Sequence, residues 1–231
     1  MNGNILHINI KMVSIILTII IFITMSTTDI FAYSRSAAIS YADKYAINAN
    51  KLDSLGNGYN VYSDRDCTNF VSQCLYAGGM TQDSTWNSKL WFSTNVAHRT
   101  DSDAWANADS LKNYLKNTGK ASKIGSWSKN GSGAPYVTNA FVNNSNNLTS
   151  SNAGKVVLFY DWEFDGTMNH SALFVADNSA STYSGEGTGD LIDQHSKNRK
   201  HVMWHADLRH AQTDQGQYQR SVTRVYAFEI N

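Results

Sequence analysis

Between Ser34 and Leu75 the apolar residues recur at helical intervals, whereas beyond Gly154 they run together or alternate. Ala37, Ala38, Ile39, Ala42 and Ala46 share the spacing of one helix, with serines placed before them as caps. A loop rich in glycine and asparagine then carries the chain to Asp66. From there Cys67, Phe70, Val71, Cys74 and Leu75 follow the i, i+3, i+4, i+7, i+8 series of an amphipathic helix. Asp66 is expected as its N-cap and Gly78-Gly79 as its stop, which puts Cys67 at the first helical position.

Farther on, Trp86, Leu90 and Trp91 read as a short buried turn. Ser102 to Lys120 reads as one helix with Trp105, Ala108, Leu111 and Leu115 on a face and Gly119 as its stop. The polar stretches from Ser126 to Val137, which holds Pro135, and from Asn143 to Asn152 read as surface loops within one domain. Val156 to Tyr160 is a continuous apolar run suited to a buried strand, and His170 to Asp177 is a second strand, with Asp165-Gly166 as a hairpin signal between them. Tyr183, the glycines after it and Leu191 to Ser196 propose a further hairpin. Arg224 to Ile230 alternates and is expected to close a mainly antiparallel sheet. Helices first and strands afterwards make an α+β fold without internal repeats.

One segment differs in kind. Met12 to Met25 is a 14-residue apolar run after Lys11, short for a membrane span, and it reads as the core of a secretory signal peptide ending at Ala32. The expected organisation is a signal peptide over 1–32 and one exported domain over 33–231, with an uncleaved N-terminal anchor as the alternative. A net charge of zero and the lack of a long basic run weigh against nucleic acid as a partner.

Export sharpens the question of the two cysteines, because an oxidising compartment normally pairs thiols. Seven residues apart on one helix, Cys67 and Cys74 would have Cα atoms roughly 10 Å apart, while a disulfide spans at most about 7 Å. Unpaired thiols then need a reason. At a helix N-terminus the unsatisfied N–H groups favour a thiolate, and His170, opening its strand after a loop, is placed to take and return a proton. The plainer reading is a buried cysteine beginning an apolar stripe beside an ordinary hairpin histidine, and spacing alone does not separate the two. Cys74, deeper on the apolar face, reads as a packing thiol.

A metal-based constellation competes. His195, His201, His205 and His210 fall within sixteen residues, and His201 with His205 has the spacing of two imidazoles on one helix face. The segment lacks the glutamate of H-E-x-x-H, so exposed loop histidines are the default and no metal is expected. The glycines of Ser184 to Asp190 lack the lysine of a phosphate loop and fit a hairpin turn.

The octapeptide Asp66-Cys67-Thr68-Asn69-Phe70-Val71-Ser72-Gln73, followed by the Leu75 to Met80 stop, resembles the signature of the putative amidase domain family. That family is a secreted bacterial branch of the papain-like superfamily that also holds the CHAP and NlpC-type cell-wall hydrolases. Tyr59-Asn60 before it, and Asn169-His170-Ser171 after an apolar strand, are similar to the family's other landmarks in the same order. Gly154-Lys155 departs from the Gly-Asp that related hydrolases carry. The resemblance implies a papain-like cysteine hydrolase fold with N-terminal helices packed on a mainly antiparallel sheet. It implies Cys67 as nucleophile, His170 as general base and acid, and His195 as the residue orienting the imidazole, with Asp193 and Asn198 as rivals. Asp66 and Tyr62 are the substrate-binding candidates. The implied activity is that of a secreted or cell-surface monomer, without cofactor, hydrolysing an amide bond in peptidoglycan or its stem peptides. Transpeptidation through the same thiol stays open. So do a non-catalytic surface-binding module on the same fold and a zinc-dependent amidase built on the His195 to His210 cluster.

Overall fold

In the computed structural model, residues 32–130, 144–205 and 222–231 are described. Helix α1 (Arg35–Tyr45) starts where the Ser34 hydroxyl accepts the Ala37 N–H, and its Ala38 and Ala42 are fully buried. Such small side chains let it lie close to α2 (Cys67–Ala77), where it meets Phe70 and Cys74. Every residue of α2 from Cys67 to Leu75 is buried, so its polar side is covered as well as its apolar stripe. Two indoles satisfy that polar side: Trp86 Nε1 donates to Ser72 Oγ and Trp105 Nε1 to Asn69 Oδ1. The helix stops as expected, with Gly79 left-handed at φ 101° and the Met80 N–H returning to the Leu75 carbonyl.

The region after α2 departs from expectation. Trp86 is buried, but Leu90, Trp91 and Phe92 are exposed on a hairpin of β1 (Ser88–Ser93) and β2 (Val96–Asp101). Thr94 and Asn95 both have positive φ, the geometry of a two-residue hairpin turn. The expected single helix is two, α3 (Asp103–Ala106) and α4 (Ala108–Asn117), because Asn107 is extended and its side chain caps α4 through the Ser110 N–H.

The main sheet is antiparallel, in the order β3-β8-β4-β5-β6-β7. Its strands are β3 (Ala121–Asn130), β4 (Val156–Asp161), β5 (His170–Ala180), β6 (Thr188–Gln194), β7 (Arg199–Met203) and β8 (Val222–Ile230). Ser126 to Asn130, expected in a loop, continue β3, and β8 lies inside the sheet rather than at its edge. Strand alternation sets two faces: Val157, Phe159, Leu173, Val175 and Phe228 pack under the helices, while Leu158, Tyr160, Phe174 and Ile192 pack around Trp127 and Trp204. Gly154, at φ 81°, lies so close to α1 that an added Cβ would stand 2.5 Å from the Arg35 carbonyl oxygen. The Lys155 that follows it pairs with Glu229 of β8 at 3.0 Å. The link from β4 to β5 is a longer loop in which the Asp161 carboxylate accepts the Asp165 and Gly166 N–H groups, not a tight turn.

The helical spacing of His201 and His205 is not realised, since His201 belongs to β7. His210, Pro135 and the apolar run from Met12 to Met25 lie outside the described residues. Among the described residues no helix is long and apolar enough to cross a membrane.

Candidate active site

Cys67 begins α2 and His170 begins β5, and a hydrogen bond between their next neighbours ties the two starts together: Thr68 Oγ1 and Ser171 Oγ are 3.1 Å apart. Cys67 Sγ lies 3.6 Å from Thr68 Oγ1. Both catalytic candidates are nearly enclosed, Cys67 at 7% exposure and His170 at 3%. They border a cleft of about 450 Å³ whose other walls include Arg65, Asn107, Trp162, Glu163 and Asn169.

The imidazole of His170 is held from two sides. Trp162 stacks on it with ring centroids 5.2 Å apart, and Gln194 Oε1 is 3.0 Å from Nε2. A carbonyl oxygen there accepts the Nε2–H, which leaves Nδ1 for the thiol. Burial pushes the Cys67 thiol up, but the charge and hydrogen bond of His170 outweigh it, aided by the Thr68 hydroxyl and the Ser171 backbone, and bring it down to about 7. The first-turn N–H groups of α2, which a helix leaves without internal acceptors, add to the field that favours an anion at Sγ. A thiolate of this kind, beside an imidazole that can carry its proton, is equipped to attack an acyl carbon.

His195 is placed elsewhere. Its Nδ1 is 2.6 Å from Asp66 Oδ2 and its Nε2 2.8 Å from the Tyr45 carbonyl oxygen, while Phe70 stacks on the ring with centroids 4.1 Å apart. The rivals are also engaged away from His170: Asp193 Oδ1 accepts the His201 N–H, and Asn198 donates to the Ile47 carbonyl. Burial pushes the Asp193 carboxyl up to about 6. The structure thus brings Cys67, His170 and Gln194 together and sets Asp66 with His195 behind them. Gln194 is the residue that sequence reasoning missed.

Residues 32–219 match the model of the family described as "Putative amidase domain". The chain belongs to that family. It is 37% identical over 97 residues to YjcM of Bacillus subtilis strain 168, covering 42% of this chain and 19% of that one. It is 34% identical over 148 residues to YhbB of the same strain, covering 63% of this chain and 38% of that one. Both relatives are described as uncharacterized, and the matched region is well under half the length of either. No solved structure matches.

In this amidase-family chain, the two residues expected to bind substrate do not line the cleft. Asp66 stands at the N-cap position, but its backbone is helical at φ −92° and ψ −2° rather than extended, and its side chain makes no capping bond. The carboxylate instead accepts the Tyr62 N–H and the Asn69 amide through Oδ1 while Oδ2 meets His195. Tyr62 donates its hydroxyl to Asp101 at 2.7 Å. Cys74 and Cys67 are both free, as expected for two cysteines on one helix, and burial holds the Cys74 thiol well above its ordinary range. The histidines weighed for zinc were expected as exposed loop residues, but His195 and His205 are buried, and each of the described ones is held by a partner of its own. His195 meets Asp66, His201 Nε2 is 2.7 Å from Asp43, and His205 packs edge-on against Trp204.

Proposed function

We propose that this chain is a cysteine-dependent amidohydrolase of papain-like design which, once exported, cleaves an amide bond in peptidoglycan or its stem peptides. The observation that carries the reading is a thiol at a helix N-terminus, lowered to about 7 by an adjacent imidazole whose far nitrogen is held by Gln194. The Cys67 thiolate attacks the amide carbon, and the carbonyl electrons move to oxygen, where first-turn N–H groups including that of Cys67 stabilise the charge. His170 gives its proton to the leaving amine, the C–N bond breaks and a thioester remains. Water then gives a proton to His170, attacks the thioester and expels the thiolate, restoring the starting pair. Trp162 shields the imidazole, and Gln194 keeps it from turning between the two proton transfers. Export rests on the apolar run Met12 to Met25, and the wall substrate on the family resemblance.

The test is digestion of purified peptidoglycan by the full chain, with mass spectrometry of released fragments. Paired new amine and carboxylate ends, absent with Cys67→Ala, with His170→Ala and after iodoacetamide, are the expected result. Equal release by Cys67→Ala, or binding to the wall without any cleavage, contradicts the proposal, the latter outcome favouring a binding module.

A further inference from the structure

Away from the cleft, α1 meets the β6–β7 hairpin at a second cluster of chemistry-bearing groups. Asp43 comes from α1, Asp193 from β6 and His201 from β7, and one donor atom of each lies within 4.8 Å of the others. His201 Nε2 stands 2.7 Å from Asp43 Oδ1, and Asp193 Oδ1 accepts the His201 backbone N–H. The telling atom is Asp193 Oδ2. Asp193 has no exposed surface, and among the described residues nothing donates a hydrogen bond to this oxygen. Buried carboxylate oxygens are ordinarily satisfied by donors or by a metal ion, and here no donor serves. Asp43 and His201 keep 34% and 29% of their side-chain surface open, which gives an ion a way in. Lys200, itself partly exposed, holds its ammonium 3.7 Å from Asp43 Oδ1 and donates to the Asp43 carbonyl oxygen at 3.1 Å, where it balances part of the negative charge.

We propose that Asp43, Asp193 and His201 form a site for one divalent cation of the zinc class. Two carboxylates neutralise a divalent charge, and an imidazole donor favours a zinc-like ion over calcium or magnesium, which prefer oxygen alone. Two donors on a tetrahedral zinc stand roughly 3.3 Å apart, so His201 and Asp43 need only a small separation to admit it. The ion joins α1 to the strand that carries Gln194, and Asp43 precedes by two residues the Tyr45 whose carbonyl meets His195. Cys67 and His170 take no part, so the site stands whether or not the chain is a hydrolase. Its role is to brace the scaffold behind the cleft, not to activate water.

The full chain, stripped with a chelator, is titrated with zinc chloride and separately with calcium chloride. Retained metal is measured after gel filtration and thermal unfolding is followed in parallel. One zinc per chain is expected, with the melting temperature raised by about 5 °C at saturation. Asp193→Asn and His201→Gln are expected to lose at least tenfold in zinc affinity, and Cys67→Ser to bind as the wild type. Asp43→Asn, at the open rim, is expected to show the same loss and serves if a buried variant fails to fold. The proposal is overturned if no zinc is retained, if all three ligand variants retain it equally, if calcium binds in preference, or if Cys67→Ser alone abolishes binding, which would assign the ion to the catalytic thiol.

Discussion

Cys67 and Cys74 share one helix, one burial class and one element of side-chain chemistry, yet their thiols move in opposite directions. Burial raises both. At the start of α2 the His170 imidazole, the Thr68 hydroxyl and the Ser171 backbone overcome it; two turns on, Cys74 sits among Ala42, Leu173 and Leu191, with the Asp193 carboxylate as its charged neighbour. Position relative to the helix end and to His170, not burial, therefore decides which sulfur is favoured as an anion.

Substitutions can break this contrast. Cys67→Ala should lower kcat by at least about 10⁴-fold, because the residues of a nucleophile-base pair act as a unit, and His170→Ala should fall nearly as far. Fragment release in steady-state assays checks both. Asp66→Ala should cost about 3 kcal/mol in denaturant unfolding, since it strips His195, Asn69 and the Tyr62 N–H of a buried carboxylate. Gln194→Ala should reduce kcat about 100-fold with KM little changed, through loss of imidazole alignment. His195→Ala, by contrast, should act on stability more than on kcat. Cys74→Ala should leave activity intact and lower stability by about 1 kcal/mol, the loss of a small buried group.

The contrast between Gln194 and His195 also marks where the sequence stops being legible. The helix that carries Cys67, its glycine stop, the buried strand at Val156 and the strand led by His170 could all be read, because each has a period or a terminator written locally. Which residue of β6 faces His170 is not local. Side chains alternate along a strand, so one step in register exchanges Gln194 for a neighbour, and the β6–β7 pairing shifts between Ile192 and Gln194. The exposed Leu90 and Trp91 misled for another reason: neighbouring apolar residues read as buried, and the turn signal at Thr94-Asn95 is weaker than an Asn-Gly pair. Asp66 was legible as a position and not as a role, since its partners Tyr62, Asn69 and His195 converge only in three dimensions.

The most direct test of the central claim is the pH dependence of iodoacetamide labelling at each cysteine, resolved by peptide mass spectrometry, in the full chain and in His170→Ala. The thiolate is the reacting form, and the folded Cys67 value of about 7 lies below the ordinary thiol, so labelling should rise as pH rises through about 7. In His170→Ala that midpoint should move upward, while Cys74 stays protected throughout. A Cys67 midpoint at or above about 8.5, unchanged by removal of His170, would contradict the account.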